Sequence, residues 1–281
     1  MTGCTSLPPG VDGQLADDWV ELPAPSALRP QVGQCRANPP AEQMSPLTDR
    51  PVDCTQRHYV ETVYVGQFTG EAAALPTPPL TTKNATGVNA KAQSEAFTAC
   101  TAEATKYVGH SWFHPTIWLR ITLPIDSSWQ AGNRWYACDL VETDWNIGGK
   151  DVGRTASLKT EFPDAICFDE NESGNWRDVP CSQKHSREFV GGYILPAKVT
   201  KEPSTDTQWD VLHGRCWPMA AAYVGVTTSR LKQLTGITSW WSHEQNMWSS
   251  GRRIGWCFLW TGDKKSEYVT GSARGRKGKG L

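Results

Sequence analysis

The chain has few aliphatic residues for its length and no run of about 18 apolar ones, so no segment of it reads as a membrane-spanning helix. It lacks an excess of charge of either sign. A formal net charge of −1 argues against nucleic acid as a partner, because phosphate binding needs a basic surface. No Cys-x-x-Cys pair is present, which removes the usual mark of zinc ribbons and thioredoxin-like sites. The Gly-x-Ser-x-Gly elbow, the His-Glu-x-x-His helix and the Gly-rich phosphate loop are missing too. His243-Glu244 opens like a zincin motif, but Met247 stands where the second histidine is needed. The chain is therefore not expected to be an enzyme, and no cofactor or metal is expected.

What the chain has is 19 prolines, 25 glycines, 14 tryptophans and nine cysteines, the last at 4, 35, 54, 100, 138, 167, 181, 216 and 257. Widely spaced cysteines in a polar, loop-rich chain read as disulfides, which persist outside the reducing cytoplasm. Eight pair internally and one is left over. Thr2-Gly3-Cys4 resembles the end of a bacterial lipobox, so Cys4 is the expected lipidation site. Residues 1–32, with their prolines, read as an extended anchor and tether.

An internal repeat organises the rest. Val52-Asp53-Cys54-Thr55-Gln56-Arg57-His58, followed by Glu61 and Val63, matches Val179-Pro180-Cys181-Ser182-Gln183-Lys184-His185, followed by Glu188 and Val190. Cys100, Ala104 and Tyr107-Val108-Gly109 match Cys216, Ala220 and Tyr223-Val224-Gly225. Trp129, Gly132, Arg134 and Cys138 match Trp248, Gly251, Arg253 and Cys257. Cys35 and Cys167 open the two copies. The chain thus divides into repeats at 33–142 and 163–261, a polar linker at 143–162 and a basic, disordered tail at 262–281.

Each repeat predicts an α+β domain, two tandem copies of a small disulfide-stapled unit with an antiparallel sheet and one packed helix. Strands are expected at 59–65 and 133–141, and a helix over 90–107 closed by Gly109. The second copy predicts strands at 187–194 and 252–259 and a helix reaching Tyr223, with Pro218 in its first turn. A further short helix is expected at 229–234. The layout favours Cys35–Cys54, Cys100–Cys138, Cys167–Cys181 and Cys216–Cys257, although four cysteines allow two other pairings per repeat.

These blocks resemble the septum-formation domain of actinobacterial envelope proteins, on the strength of Cys54/His58/Glu61, Cys100 and Trp129/Gly132/Arg134/Cys138 and their counterparts. The resemblance covers nearly all of 33–261. One departure is Ile254-Gly255-Trp256, where the first copy has Trp135-Tyr136-Ala137. The resemblance implies an exported protein held by a lipid anchor on the extracytoplasmic face of the cell membrane, binding or scaffolding division or envelope proteins. A wall polymer is a second class of partner. The alternatives are an accessory subunit of an integral membrane enzyme complex and, more weakly, a metal-dependent hydrolase.

Candidate structural or binding residues are His58, Glu61, His185 and Glu188. On one strand His58 and Glu61 would point to opposite faces, which favours structural hydrogen bonding over metal ligation. Trp112, Trp118, Trp240 and Trp241 lie between the helical cysteine and the last cysteine of each repeat and are candidates for an aromatic surface, with His110 and His114 beside the first pair. The tail's Arg274, Arg276, Lys277 and Lys279 are candidates for contact with anionic lipid or polymer.

Overall fold

A computed structural model describes residues 28–45, 49–81, 85–144, 150–170, 176–195, 204–241, 253–262 and 267–281; the side chains of Thr238–Trp241 and the expected lipidation site at Cys4 lie outside the described set. The first half runs β1 (Cys35–Arg36), β2 (Gln43–Met44), β3 (Pro51–Val52), β4 (Val60–Gln67), α1 (Gly70–Ala73), α2 (Gly87–Val108), β5 (Ile117–Pro124), α3 (Asp126–Gln130), β6 (Trp135–Asp144) and β7 (Lys150–Val152). The second runs β8 (Cys167–Glu170), β9 (Trp176–Val179), β10 (Lys184–His185), β11 (Arg187–Ile194), α4 (Asp206–Val224), α5 (Thr228–Leu234), β12 (Gly236–Trp241), β13 (Ile254–Trp260) and β14 (Val269–Thr270). The fold is α+β.

The first sheet is ordered β2-β5-β6-β4-β1-β3, with β7 added to β6, and the second β12-β13-β11-β8-β9. Set β2 and β7 aside, and the path β5-β6-β4-β1-β3 has the same order as its counterpart in the second half. The central pairs β4/β6 and β11/β13 are antiparallel, and each is interrupted once, between Thr62 and Tyr64 and between Phe189 and Gly191. α2 lies on β5, β6 and β4, and α4 on their counterparts β12, β13 and β11. Both end on a left-handed glycine, Gly109 at φ 79° and Gly225 at φ 82°. A side chain there would strain the backbone that satisfies the last carbonyls.

Four disulfides brace this frame: Cys35–Cys54, Cys100–Cys138, Cys167–Cys181 and Cys216–Cys257. In each half the first ties the opening strand to the turn before the next long strand. The second ties the helix to the last long strand. Closing loops of this size contributes roughly 2–4 kcal/mol each, mainly by constraining the unfolded chain.

One apolar cluster draws Phe97, Leu119, Trp129 and Leu140 from the first half together with Phe168, Phe189, Trp256 and Phe258 from the second. Two expectations are corrected. Pro218 lies deep inside α4 rather than in its first turn. Finally, the described residues of the expected linker and tail, 150–162 and 267–281, fold back onto their own half: β7 pairs with β6 and β14 with β10, for reasons given below.

The departure at Gly255 also has a physical reason. In the first half Gly66 of β4 stands opposite Tyr136 of β6; in the second, Tyr193 of β11 stands opposite Gly255 of β13. The two halves keep one tyrosine facing one glycine but supply them from opposite strands. A Cβ on Gly66 would lie 2.2 Å from the Tyr136 ring, and one on Gly255 2.7 Å from the Tyr193 ring. Gly66→Val should therefore lower stability by about 1–3 kcal/mol through overpacking. The exchange Gly66→Tyr with Tyr136→Gly, which copies the second half, should recover most of that loss. Chemical denaturation of the two variants beside the wild type checks both.

Candidate functional site

The residues that repeat most closely meet at one place in each half. His58 is not part of β4 but sits in the turn ahead of it, so strand alternation does not govern it. Cys35, His58 and Glu61 consequently place a ligand-type atom each within 4.8 Å of one another, as do Cys167, Cys181 and Glu188. His185 Nε2 lies 4.0 Å from Glu188 Oε2. This corrects the expectation that histidine and glutamate point apart. His58, His185 and Glu188 are 0% exposed and Glu61 1%.

Each buried carboxylate is satisfied by the helix and by the returning segment. Glu61 Oε1 accepts from Tyr107 Oη at 2.7 Å and Ser157 Oγ at 2.5 Å, and Oε2 accepts from the Leu158 amide at 2.7 Å. Glu188 Oε1 accepts from Tyr223 Oη at 2.5 Å and from Ser272 Oγ, and Oε2 from the Ala273 amide at 2.7 Å. The two returning segments are thus equivalent. His58 exchanges backbone bonds with Arg154, just as His185 pairs with Val269. Lys159 lies over the Tyr107 ring and Arg274 over Tyr223. The second segment also donates from Gly275 and Lys277 to the last carbonyls of α4, both at 2.9 Å. A buried carboxylate is tolerated only when hydrogen-bonded, and that need draws both segments home. Burial, followed by the adjacent Glu61 or Glu188, holds the Tyr107 and Tyr223 hydroxyls well above the ordinary tyrosine range.

Sequence reasoning missed Tyr107, Ser157, Tyr223 and Ser272 as partners of the glutamates. Both tyrosines stood in the repeated block, and Ser-Leu-Lys and Ser-Ala-Arg follow at comparable places beyond the repeats, but only the fold brings them together. In the first half the W-x-x-G-x-R block is structural: Trp129 Nε1 donates to Leu75 O at 2.7 Å, and Arg134 donates to Ala73 O while lying over the Trp129 ring; Trp248 and Gly251 lie outside the described residues.

The first pair of aromatic candidates packs on the core. Trp112 is 1% exposed and stacks on Phe113, and Trp118 is half-buried against Trp256. Trp240 and Trp241 pair through their backbones with Trp256 and Gly255. His110 lies edge-on to Phe162. His114, 5% exposed, joins the halves: its Nε2 bonds Asp164 O at 2.9 Å, and its ring meets Phe162 and Phe189. A groove of about 360 Å³ nearby is lined by Glu142, Arg154, Glu161, Phe162 and Asp164. Its arginine is committed to Glu142 and to the carbonyls of Ala156 and Glu161.

The two halves differ on the sheet face away from the helix. In the first, buried Arg36 binds Asp49 at 2.9 Å and also Asp139, which accepts from Thr62 and Thr122. The second has Phe168, Phe189 and Phe258 at the places of Arg36, Thr62 and Asp139, with centroids 5.6 Å apart for the pairs sharing Phe258.

A disulfide-braced α+β protein with two like sheets, and with its repeated polar residues buried in the frame, is the class these features define. Four disulfides, and no helix among the described residues long and apolar enough to cross a membrane, fit an extracytoplasmic protein. The septum-formation family model matches residues 32–257, most of the chain, and the chain belongs to that family. No curated protein and no solved structure matches it.

Two predictions come from these clusters. Removing residues 267–281 strips Glu188 of Ser272 and Ala273 and should cost about 3–5 kcal/mol, the penalty for an uncompensated buried charge, read as a lower melting transition. Burial lowers the His114 pKa from 6.5 to about 4, so the unfolded chain takes up this proton first as pH falls. Stability should be highest above pH 6.5 and decline by about 1.4 kcal/mol per unit from there toward pH 4. Urea midpoints across that range should lose this slope in His114→Phe.

Proposed function

We propose that this chain is a non-catalytic, lipid-anchored element of the cell envelope, built from two tandem copies of one unit, that binds or scaffolds proteins of septum formation. Membership of the septum-formation family over most of the chain carries this reading. The shared strand order, matched disulfides and matched glutamate clasps support duplication of one unit. The non-catalytic part rests on the fate of the sharpest catalytic candidates. His58, Glu61, His185 and Glu188 are enclosed in the cross-linked frame instead of lining a cleft. Anchoring rests on Thr2-Gly3-Cys4 and the Pro-rich stretch after it. The lipid would hold the braced body against the outer face of the membrane, where partners or a wall polymer meet its loops.

Crosslinking of the full-length chain in native envelopes, followed by capture and mass spectrometry, tests the scaffold. Division or wall-synthesis proteins are the expected catch, and Cys4→Ser should release the chain from the membrane fraction. Capture of a single stoichiometric membrane complex unrelated to division would replace this reading with that of an accessory subunit.

A further inference from the structure

We propose that each half holds a zinc site that forms when its first disulfide is reduced, with Cys35, Cys54, His58 and Glu61 as ligands in the first half and Cys167, Cys181, His185 and Glu188 in the second. The inference is independent of the scaffold reading. It starts from two histidine nitrogens. His58 Nδ1 bonds the Gln56 carbonyl at 2.9 Å and His185 Nδ1 the Gln183 carbonyl at 2.8 Å. A carbonyl only accepts, so Nδ1 carries the hydrogen and Nε2 of the neutral ring presents a lone pair. Both Nε2 atoms are buried and have no hydrogen-bond partner. A backbone carbonyl on one nitrogen, with the other free, is the arrangement that orients histidine ligands.

Each histidine stands beside the other candidate ligands of its half. Cys35 Sγ, a His58 nitrogen and a Glu61 oxygen lie within 4.8 Å of one another, and Cys54 Sγ is bonded to Cys35 Sγ. In the second half both sulfurs lie within 4.8 Å of a Glu188 oxygen, and Glu188 Oε2 stands 4.0 Å from His185 Nε2. That gap is too long for a hydrogen bond. It is close to the separation of roughly 3.3–3.8 Å that tetrahedral zinc imposes on ligands 2.0–2.3 Å away. Glu61 Oε2 and Glu188 Oε2 each take one amide donor, which leaves a lone pair for the ion. Two thiolates, an imidazole and a carboxylate are a zinc set.

The sulfurs supply it only when reduced. A dithiol donor gives two electrons and two protons to the Cys35–Cys54 bond and leaves as a cyclic disulfide, producing two thiols. Zn²⁺ then displaces the two thiol protons to solvent, while imidazole and carboxylate bind with no proton change. Cys54 and Cys181 are half-buried and reachable, whereas Cys100, Cys138, Cys216 and Cys257 are 0% exposed. The helix-to-sheet disulfides are therefore the better protected pair. The metal would restore the link that reduction opens, between the first strand of each half and the turn before its central strand.

The test uses the full chain, treated with a dithiol that is then removed anaerobically, and titrated with Co²⁺ alone. One Co²⁺ per half, with thiolate charge-transfer bands and tetrahedral d–d bands that Zn²⁺ bleaches, is the expected result; the oxidised chain should show neither. His58→Gln and His185→Gln should each remove half of the signal. Their oxidised forms keep all four cross-links, so a melting transition shows that they fold. The proposal falls if the reduced chain takes up no cobalt, if the oxidised chain takes it up equally, or if the double histidine variant binds as well as the wild type.

Discussion

A carboxylate buried in the middle of a sheet organises each half of this protein. Glu61 and Glu188 are almost fully enclosed, and an ionised group in such a place is stable only when donors surround it. One strand cannot provide them. The helix contributes a tyrosine hydroxyl, and a distant segment must return with a serine hydroxyl and a backbone amide. That requirement sets where each half ends: at the strap that closes over the glutamate, some 20 residues beyond the last matched cysteine in the first half. The disulfides then hold the strands and helix that frame the site.

The faces away from the helices show how far two like frames can diverge. Where the first half buries Arg36 between Asp49 and Asp139, the second buries interlocking phenylalanines. Exchanging a buried ionic network for well-packed apolar residues is often neutral or stabilising, because the desolvation of charge offsets its attraction. The position tolerates either solution if it is complete. The glutamate clasp and the histidine beside it occur unchanged in both halves, although their surroundings differ. The phenylalanine face also lets the second sheet share an interior with the first, with His114 fastened across the join.

Much of the frame was legible in the residues. The strands β4, β6, β11 and β13, both long helices and the Gly109 C-cap follow from β-branched runs, an alanine-rich stretch and the glycine itself, whereas β5 and β12 were not anticipated. The structure forms the same four cysteine pairs that the layout favoured. Pro218 misled, since α4 continues through it to Val224. His58 misled too, because period-two alternation was applied to a turn residue. The returning straps were read as linker and tail; their polar, glycine-containing composition is that of a loop, and nothing local marks an amide as the partner of a glutamate some 85–100 residues away.

Sequence alone determined the repetition, the cross-linked character and the family resemblance, because spacing between cysteines and their flanking residues is a property of the chain itself. Tertiary structure decided what the repeated polar residues do. Whether a histidine and a glutamate are a catalytic pair, a metal site or a clasp depends on which donors reach them and whether water does. It also decided that one apolar cluster spans both halves, since apolar contact between sheets depends on which face each presents. Such facts reside in distances between remote segments, and hydrogen bonding and burial act through those distances and not through order along the chain.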